Sequence, residues 1–191
     1  PKPYFNSLTT RGGAVYVDCG AFTGDTVEKF IEWNGDNYKK IFAIEADPKN
    51  FAELEKFIRE KNYRDVKIFN CGVWHEKTIL KFNSEGKMTS AVSDSGNVQI
   101  PVDTIDNIVG DEFISLIKMD IEGAELNALK GAVKTLERCK PILAISAYHR
   151  KEDLITLPQF IKNIYGDCKF YLRKEGEFMA LTEFDMYVVP Q

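Results

Sequence analysis

Short apolar segments alternate with longer amphipathic segments along almost the whole chain. The apolar segments, among them 14–18, 41–45 and 66–70, have the length of buried strands, and the segments after them have helical periodicity. This alternation predicts a mostly parallel sheet, because parallel neighbours need a long crossover that a helix supplies. Such crossovers are right-handed, so a doubly wound open sheet with helices on both faces follows.

Further elements continue the alternation along the chain. The predicted helices lie at 25–33, 48–61, 123–138 and 152–165, and the predicted later strands at 114–119, 141–147 and 187–189. The helix at 48–61 has the clearest beginning, because Asp47 is a good N-cap and Pro48 fits the first helical position. With 191 residues and no linker or internal repeat, the chain is predicted to form one domain.

Residues 77–102 interrupt this alternation. Two short predicted strands, 77–82 and 98–102, flank a connection at 83–97 that is rich in Ser, Gly and Asn. A connection of this length is either disordered or functional, so we predict an inserted hairpin with a flap. Residues 1–13 precede the first strand and are predicted to be an N-terminal extension of the single domain.

Charge and apolar content argue against some classes of partner. The chain has 25 basic and 29 acidic residues, a net charge of −4, and its basic residues are scattered, which argues against nucleic-acid binding. The apolar stretch at 142–148 is far shorter than the ~20 residues that a membrane helix needs.

No Cys-x-x-Cys pair occurs among Cys19, Cys71, Cys139 and Cys168. We therefore expect free thiols and a cytoplasmic location, rather than a zinc site or a disulfide framework.

A turn with two glycines follows the first predicted strand and leads into a helix. Gly20 and Gly24 would let a ligand approach the backbone, and the helix after Gly24 would offer free N–H groups. The spacing is Asp-x-Gly-x-x-x-Gly, unlike the Gly-x-Gly-x-x-Gly of dinucleotide sites. Asp18 at the strand end would repel a pyrophosphate, whereas S-adenosylmethionine has no phosphate and carries an ammonium and a sulfonium. The turn therefore favours S-adenosylmethionine over a nicotinamide cofactor.

Acidic residues recur at the predicted strand ends or in the turns after them, which predicts an acidic pocket. They are Asp18, Asp25, Glu45, Asp47, Asp120 and Glu122. Glu45 follows Gly24 by about twenty residues, where an acid accepts hydrogen bonds from ribose hydroxyls. Asp25 and Asp47 are better explained as helix caps. Asn70 and the following residues could line an adenine or simply form a turn at the strand end.

A second acidic group follows the fourth strand of the predicted parallel sheet. Asp120 and Glu122 are two residues apart and would project to one side, and Glu125 would share a helical face with Glu122. Acids in a first helical turn complement the helix dipole, which accounts for Glu122 and Glu125 but not for Asp120. His149, after the next strand, could be a general base near neutral pH or a packed or capping residue.

Four segments of the chain resemble one known family. They are 17–26 (Val-Asp-Cys-Gly-Ala-Phe-Thr-Gly-Asp-Thr), 44–48 (Ile-Glu-Ala-Asp-Pro), 102–106 (Val-Asp-Thr-Ile-Asp) and 117–126 (Ile-Lys-Met-Asp-Ile-Glu-Gly-Ala-Glu-Leu). Together they resemble the FkbM family of S-adenosylmethionine-dependent methyltransferases. The resemblance spans about residues 14–147, and 117–126 is its most specific part.

The resemblance implies a class I methyltransferase fold: a Rossmann-like α/β sheet of seven strands, mostly parallel, whose last strand is antiparallel and lies beside the fifth. It also implies methyl transfer, usually to an oxygen of a small molecule or sugar. The predicted cofactor-binding residues are Asp18, Gly20, Phe22, Thr23, Gly24, Glu45, Ala46, Asn70 and Gly72. The predicted catalytic residues are Asp120, Glu122 and His149, and no residue is assigned to a metal. Family members often have an acid on the fifth strand, where this chain has Ile-Ser-Ala-Tyr-His at 145–149.

These observations favour an oxygen-directed methyltransferase acting on a small-molecule or carbohydrate acceptor. Asp120, Glu122 or His149 could take the acceptor's proton, or a carboxylate pair could instead hold a divalent cation that acidifies the hydroxyl. The alternative is a domain that binds S-adenosylmethionine without turnover, as a sensor. Methylation of a nucleobase nitrogen is disfavoured, because Asp-Ile-Glu-Gly at 120–123 replaces the Asn/Asp-Pro-Pro-aromatic block of those enzymes.

Overall fold

The computed structural model describes residues 13–35, 37–82, 98–174 and 184–191. Its strands are β1 (Ala14–Cys19), β2 (Tyr38–Glu45), β3 (Val66–Asn70), β4 (Gly72–Val73), β5 (Thr78–Phe82), β6 (Val98–Asp103), β7 (Leu116–Met119), β8 (Ile142–Ser146), β9 (Cys168–Lys174) and β10 (Phe184–Pro190). Its helices are α1 (Asp25–Asn34), α2 (Pro48–Lys61), α3 (Ile105–Val109), α4 (Glu125–Lys130), α5 (Val133–Cys139) and α6 (Asp153–Tyr165). The predicted N-terminal extension, apart from Gly13, and the predicted flap at 83–97 lie outside the described residues.

Seven strands form one sheet in the order β3-β2-β1-β7-β8-β10-β9. The first five of these are parallel to their neighbours, whereas β10 is antiparallel to both β8 and β9. The predicted seven-stranded sheet, with its last strand antiparallel beside the fifth main strand, is confirmed. The chain order reverses at β1, which has β2 on one side and β7 on the other. In open α/β sheets, ligands bind at the carboxyl ends of the strands at this reversal.

Both faces of the sheet are packed against helices. Every residue of β1 is buried. Val15, Val17 and Cys19 face a core that includes residues of α3, α4, α5 and α6. Ala14 and Tyr16 face a second core with residues of α1 and α2. A continuous apolar run of this kind is typical of a parallel strand covered on both sides, and the predicted helices on both faces are confirmed.

Residues 123–138 form two helices rather than the single predicted one. The first, α4, ends at Lys130, and α5 begins at Val133. Between them, a Cβ added to Gly131 would lie only 2.0 Å from the carbonyl oxygen of Trp74. The break therefore coincides with a close approach of two backbone segments that are distant in sequence. The helical periodicity of the sequence carries no information about such a contact.

Beside the large sheet lies a small one with the order β4-β6-β5. In it β5 and β6 pair antiparallel, so the predicted hairpin strands do pair with each other. The sequence patterns did not indicate β4, α3 or β9. Two of these are very short, at two and five residues. The third, β9, lies at the sheet edge and has half-buried and exposed positions instead of a continuous apolar run.

All four cysteines have free thiols, as their spacing predicts. Burial raises the pKa of Cys71 to about 11, so this thiol is protonated at neutral pH. Within the described ranges, every helix is too short or too polar to cross a membrane.

Candidate active site

Asp18, at the end of β1, is completely buried. Its Oδ2 accepts a hydrogen bond of 2.5 Å from the Thr26 hydroxyl, and its Oδ1 lies 3.2 Å from Nζ of Lys118. Burial alone would lower the pKa of Lys118, but the carboxylates of Asp18 and Asp120 raise it, so Lys118 is charged. Because Lys118 offsets the charge of Asp18, the repulsion of a phosphate that we expected from Asp18 loses its basis. Direct contact of Asp18 with a cofactor stays a prediction.

The two glycines of the first turn are required by close contacts. Gly20 has a φ of +81°, and a Cβ there would lie 2.1 Å from the carbonyl oxygen of Asp120. Gly24 has a φ of +101°, and a Cβ there would lie 2.5 Å from the Phe57 ring. Gly20 therefore brings the turn after β1 directly against the end of β7.

Gly24 is the N-cap of α1, which corrects the expectation that Asp25 caps this helix. Asp25 is instead the first helical residue and forms an ion pair of 2.5 Å with Lys29. Gly24 has no side chain, so it provides no side-chain acceptor to the first turn of α1, and the half-buried Thr23 precedes it.

Glu45, at the end of β2, connects the first turn to the second. Its Oε2 accepts a hydrogen bond of 2.9 Å from the backbone N–H of Phe22, and its Oε1 accepts one of 2.8 Å from that of Asp47. Burial raises the pKa of this carboxyl. Asp47 is the N-cap of α2 and accepts from the N–H groups of Lys49 and Asn50, which confirms its predicted capping role.

Residues after β3 reach the same edge of the sheet. The Asn70 side-chain amide donates to the carbonyl oxygens of Glu45 at 3.0 Å and Ala46 at 3.5 Å. A Cβ added to Gly72 would lie 3.8 Å from Cβ of Ala46, so these two residues are neighbours. The structure thus brings Phe22, Glu45, Ala46, Asn70 and Gly72 together. Their binding role stays a prediction.

The residues that follow β7 and β8 meet at the carboxyl edge, because these strands are neighbours. Nε2 of His149 lies 3.6 Å from Oδ1 of Asp120 and 3.5 Å from Oε2 of Glu122. The His149 side chain is only 9% exposed, against 27% for Asp120 and 24% for Glu122. All three predicted catalytic residues are therefore in one place, and we call them the Asp–Glu–His cluster.

Two consecutive left-handed residues reverse the chain after β7. Glu122 has a φ of +55° and Gly123 a φ of +91°. A non-glycine residue in this region is strained by about 1–2 kcal/mol. Strain of this kind concentrates at functional sites. The Nε of Arg150 donates a hydrogen bond of 2.7 Å to the Gly123 carbonyl, which stabilises the turn.

Glu125 contacts the predicted catalytic residue His149, although the sequence patterns did not place it in the site. It is fully buried, and its Oε1 lies 2.8 Å from Nδ1 of His149 and accepts a hydrogen bond of 3.1 Å from the N–H of Ile121. Its place in a first helical turn suggested only a contribution to the helix dipole. The signal available in the sequence was an acid inside an otherwise mostly apolar segment.

Electrostatics in the cluster favour positive charge. Burial alone would lower the pKa of His149, but the hydrogen bond to Glu125 and the charges of Asp120 and Glu122 raise it above its ordinary value. Burial raises the pKa of Glu122, which the neighbouring acids reinforce. The cluster lies next to the first turn, since the Asp120 N–H donates to the Cys19 carbonyl at 3.1 Å.

Comparison with known families fits this arrangement. The family model described as the methyltransferase FkbM domain matches residues 18–172. The chain belongs to the FkbM methyltransferase family. Its structure is similar to the crystal structure of methyltransferase FkbM from Methylobacillus flagellatus KT, with a TM-score of 0.81 and 29% sequence identity. That match covers 96% of this chain but 45% of the other, so this FkbM domain spans less than half the length of that protein.

More distant structures share the fold of this FkbM domain. SMU.1697c from Streptococcus mutans, in complex with SAH, matches with a TM-score of 0.61 and 14% identity over 97% of this chain and 93% of that one. An rRNA methylase from Streptococcus thermophilus matches with a TM-score of 0.60 and 16% identity over 94% and 87%. No curated protein sequence matches the chain.

Proposed function

We propose that this FkbM domain transfers a methyl group from S-adenosylmethionine to a hydroxyl of a small-molecule or carbohydrate acceptor. The observation that carries the proposal is the position of the Asp–Glu–His cluster, one strand away from the glycine turn. A cofactor held by that turn and by the end of β2 would have the cluster beside it, where an acceptor must bind.

S-adenosylmethionine suits the residues at this edge. Glu45 is available to ribose hydroxyls after exchange of one of its backbone donors. Glu45, Asp120 and Glu122 favour the positive charges of the ammonium and the sulfonium. The S. mutans structure, in complex with SAH, has the same fold and supports this choice.

The reaction needs alignment and a destination for one proton. The acceptor oxygen attacks the methyl carbon, the bond from that carbon to sulfur breaks, and an ether and S-adenosylhomocysteine result. Alignment of the two bound reactants can supply several kcal/mol of the barrier reduction. The hydroxyl proton passes to the Asp–Glu–His cluster or is lost to water with its help.

The acceptor is proposed to be small rather than a nucleic acid. The net charge of −4 and the acidic cluster are unfavourable for a phosphate backbone.

The free cysteines fit the proposed cytoplasmic location.

The test is a methyl-transfer assay with S-adenosylmethionine carrying a carbon-13 methyl group and a panel of hydroxylated small molecules and sugars. We expect a labelled methyl ether and S-adenosylhomocysteine in equal amounts, detected by mass spectrometry. Asp120→Asn should lower turnover by about 10²-fold, with a much smaller change in cofactor affinity. Binding of S-adenosylmethionine with no methylated acceptor in the panel would favour the alternative, a non-catalytic sensor.

A further inference from the structure

The Nε2 atom of His149 is buried, has no hydrogen-bond partner among the described residues and faces two carboxylates. Oδ1 of Asp120 is likewise buried without such a partner. A buried polar atom that lacks a partner is costly, so native proteins generally satisfy it with a hydrogen bond, a water or an ion. The two atoms lie 3.6 Å apart, one on a residue after β7 and the other on a residue after β8.

The spacing of the donor atoms is that of ligands around one metal ion. One atom each from Asp120, Glu122 and His149 can be chosen so that all lie within 4.8 Å of one another. Ligands about 2.1 Å from a metal are separated by roughly 3.0–3.4 Å at octahedral to tetrahedral angles. The observed separations of 3.5 and 3.6 Å from Nε2 need only a slight closing.

Glu125 supplies a second, independent indication. Metal-binding histidines almost always donate their other ring N–H to a carboxylate, a carbonyl or water, which fixes the tautomer and the ring orientation. The 2.8 Å contact between Glu125 and Nδ1 has this form and leaves Nε2 for the ion. With Glu125 included, three carboxylates surround the imidazole, while the nearby cation Lys118 is paired with Asp18.

We propose that Asp120, Glu122 and His149 bind one divalent first-row transition-metal cation through one atom each, with Glu125 as the residue that orients His149. Two carboxylates and one imidazole suit Mn²⁺ or Zn²⁺ better than Ca²⁺, which prefers oxygen ligands only. Three protein ligands leave coordination positions open for a substrate oxygen.

The role of the cation, as distinct from the site, rests on the proposed function. A bound cation lowers the pKa of a coordinated hydroxyl and orients its oxygen toward the methyl group. In this arrangement His149 is a ligand rather than the proton acceptor, and the hydroxyl proton leaves to water. The cation would bind beside Gly20, because the Asp120 carbonyl contacts that glycine.

The experiment is a Mn²⁺ titration of metal-free protein, followed by electron paramagnetic resonance, without cofactor or acceptor. We expect one saturable site per chain. Asp120→Asn, Glu122→Gln and His149→Gln should each weaken it by at least ~10-fold, and Glu125→Gln by about 10- to 100-fold. Pulsed measurements should show nitrogen coupling from an imidazole ligand, which His149→Gln removes.

Matched controls use the other histidine and a surface acid. His75→Gln should keep both the affinity and the nitrogen coupling, because His75 is exposed and lies outside the cluster. Asp111→Asn should also have no effect, since this side chain is fully exposed. Circular dichroism checks that the variants fold. Glu122→Gln tests the site at a position that is more exposed than the nearly buried His149.

Several outcomes separate this site from the proposed reaction. The metal site would be overturned if no saturable site were found, or if the folded Asp120→Asn and Glu122→Gln variants bound Mn²⁺ as tightly as the unmodified protein. Either result would leave the proposal of methyl transfer standing. Mn²⁺ binding with full methyl transfer after chelation would support the site and overturn the role of the cation. Mn²⁺ binding without any methyl transfer would support the site while the proposed function fails.

Discussion

Oε1 of Glu125 lies 2.8 Å from Nδ1 of His149, although the two residues are 24 positions apart in the chain. Glu125 begins α4, which follows β7, and His149 follows β8. The same oxygen also accepts from the backbone N–H of Ile121, so one buried carboxylate holds both the turn after β7 and the imidazole. This relationship directs Nε2 of His149 toward Asp120 and Glu122.

Replacing Glu125 by Gln should lower kcat by about 10- to 100-fold, the usual cost of losing the carboxylate behind a functional histidine. The KM for S-adenosylmethionine should change little, because Glu125 acts through His149. Steady-state kinetics at saturating acceptor measure both. Glu137→Gln, an exposed acid of α5, is the control, and equal kcat in the two variants would contradict a positioning role.

Gly20→Ala should destabilise the fold by about 2–4 kcal/mol. Part of this cost comes from the positive φ of +81°, and the rest from a Cβ placed 2.1 Å from the Asp120 carbonyl oxygen. Gly13→Ala is a closely matched control, because Gly13 has a φ of +83° but nothing within 4 Å of the added Cβ. Urea unfolding gives both free energies, and equal losses would mean that the contact with Asp120 costs nothing.

Glu45→Gln should weaken the binding of S-adenosylmethionine by about 1–3 kcal/mol, the range for hydrogen bonds to a charged group. Glutamine keeps the size of the side chain and one acceptor oxygen for the N–H of Phe22 or Asp47. Calorimetric titration measures the affinity, with the exposed Glu55→Gln as control. Unchanged affinity in a folded Glu45→Gln protein would remove Glu45 from the cofactor site.

Asp103 should make stability depend on pH. Burial alone would raise its pKa, but donation from the Asn107 side chain, the Thr104 N–H and Lys77 lowers it below the ordinary value. A carboxyl whose pKa is lowered by folding stabilises the protein above its unfolded pKa of about 3.9, and this contribution disappears as pH falls through the folded value.

Asp103→Asn should therefore lower the free energy of unfolding by about 1 kcal/mol at pH 7, and the difference from the unmodified protein should shrink below about pH 4. Urea unfolding at several pH values measures it. A difference that stays constant down to pH 3, or grows on acidification, contradicts the assignment.

Local patterns identified many elements of the fold. The bounds of α2 were predicted as observed, because Asp47 and Pro48 form a cap whose chemistry is local. Continuous apolar runs identified β1 and the core of β2, because a strand buried on both faces is apolar at most of its positions. The sequence segments around Gly20 and Asp120 carried the family resemblance, and with it the seven-stranded, mostly parallel sheet whose last strand is antiparallel beside the fifth.

Tertiary structure alone decided the roles of individual side chains. Lys118 offsets Asp18 because β1 and β7 are adjacent, and Glu125 contacts His149 because the residues after β7 and β8 meet at one edge. The helix predicted at 123–138 is interrupted beside Gly131, where the backbone of Trp74 passes close by. Hydrogen bonds and ion pairs act over a few ångströms, so the partners that set a side chain's charge and orientation are spatial neighbours. In this chain those neighbours lie tens of residues apart, and only the order of the strands in the sheet brings them together.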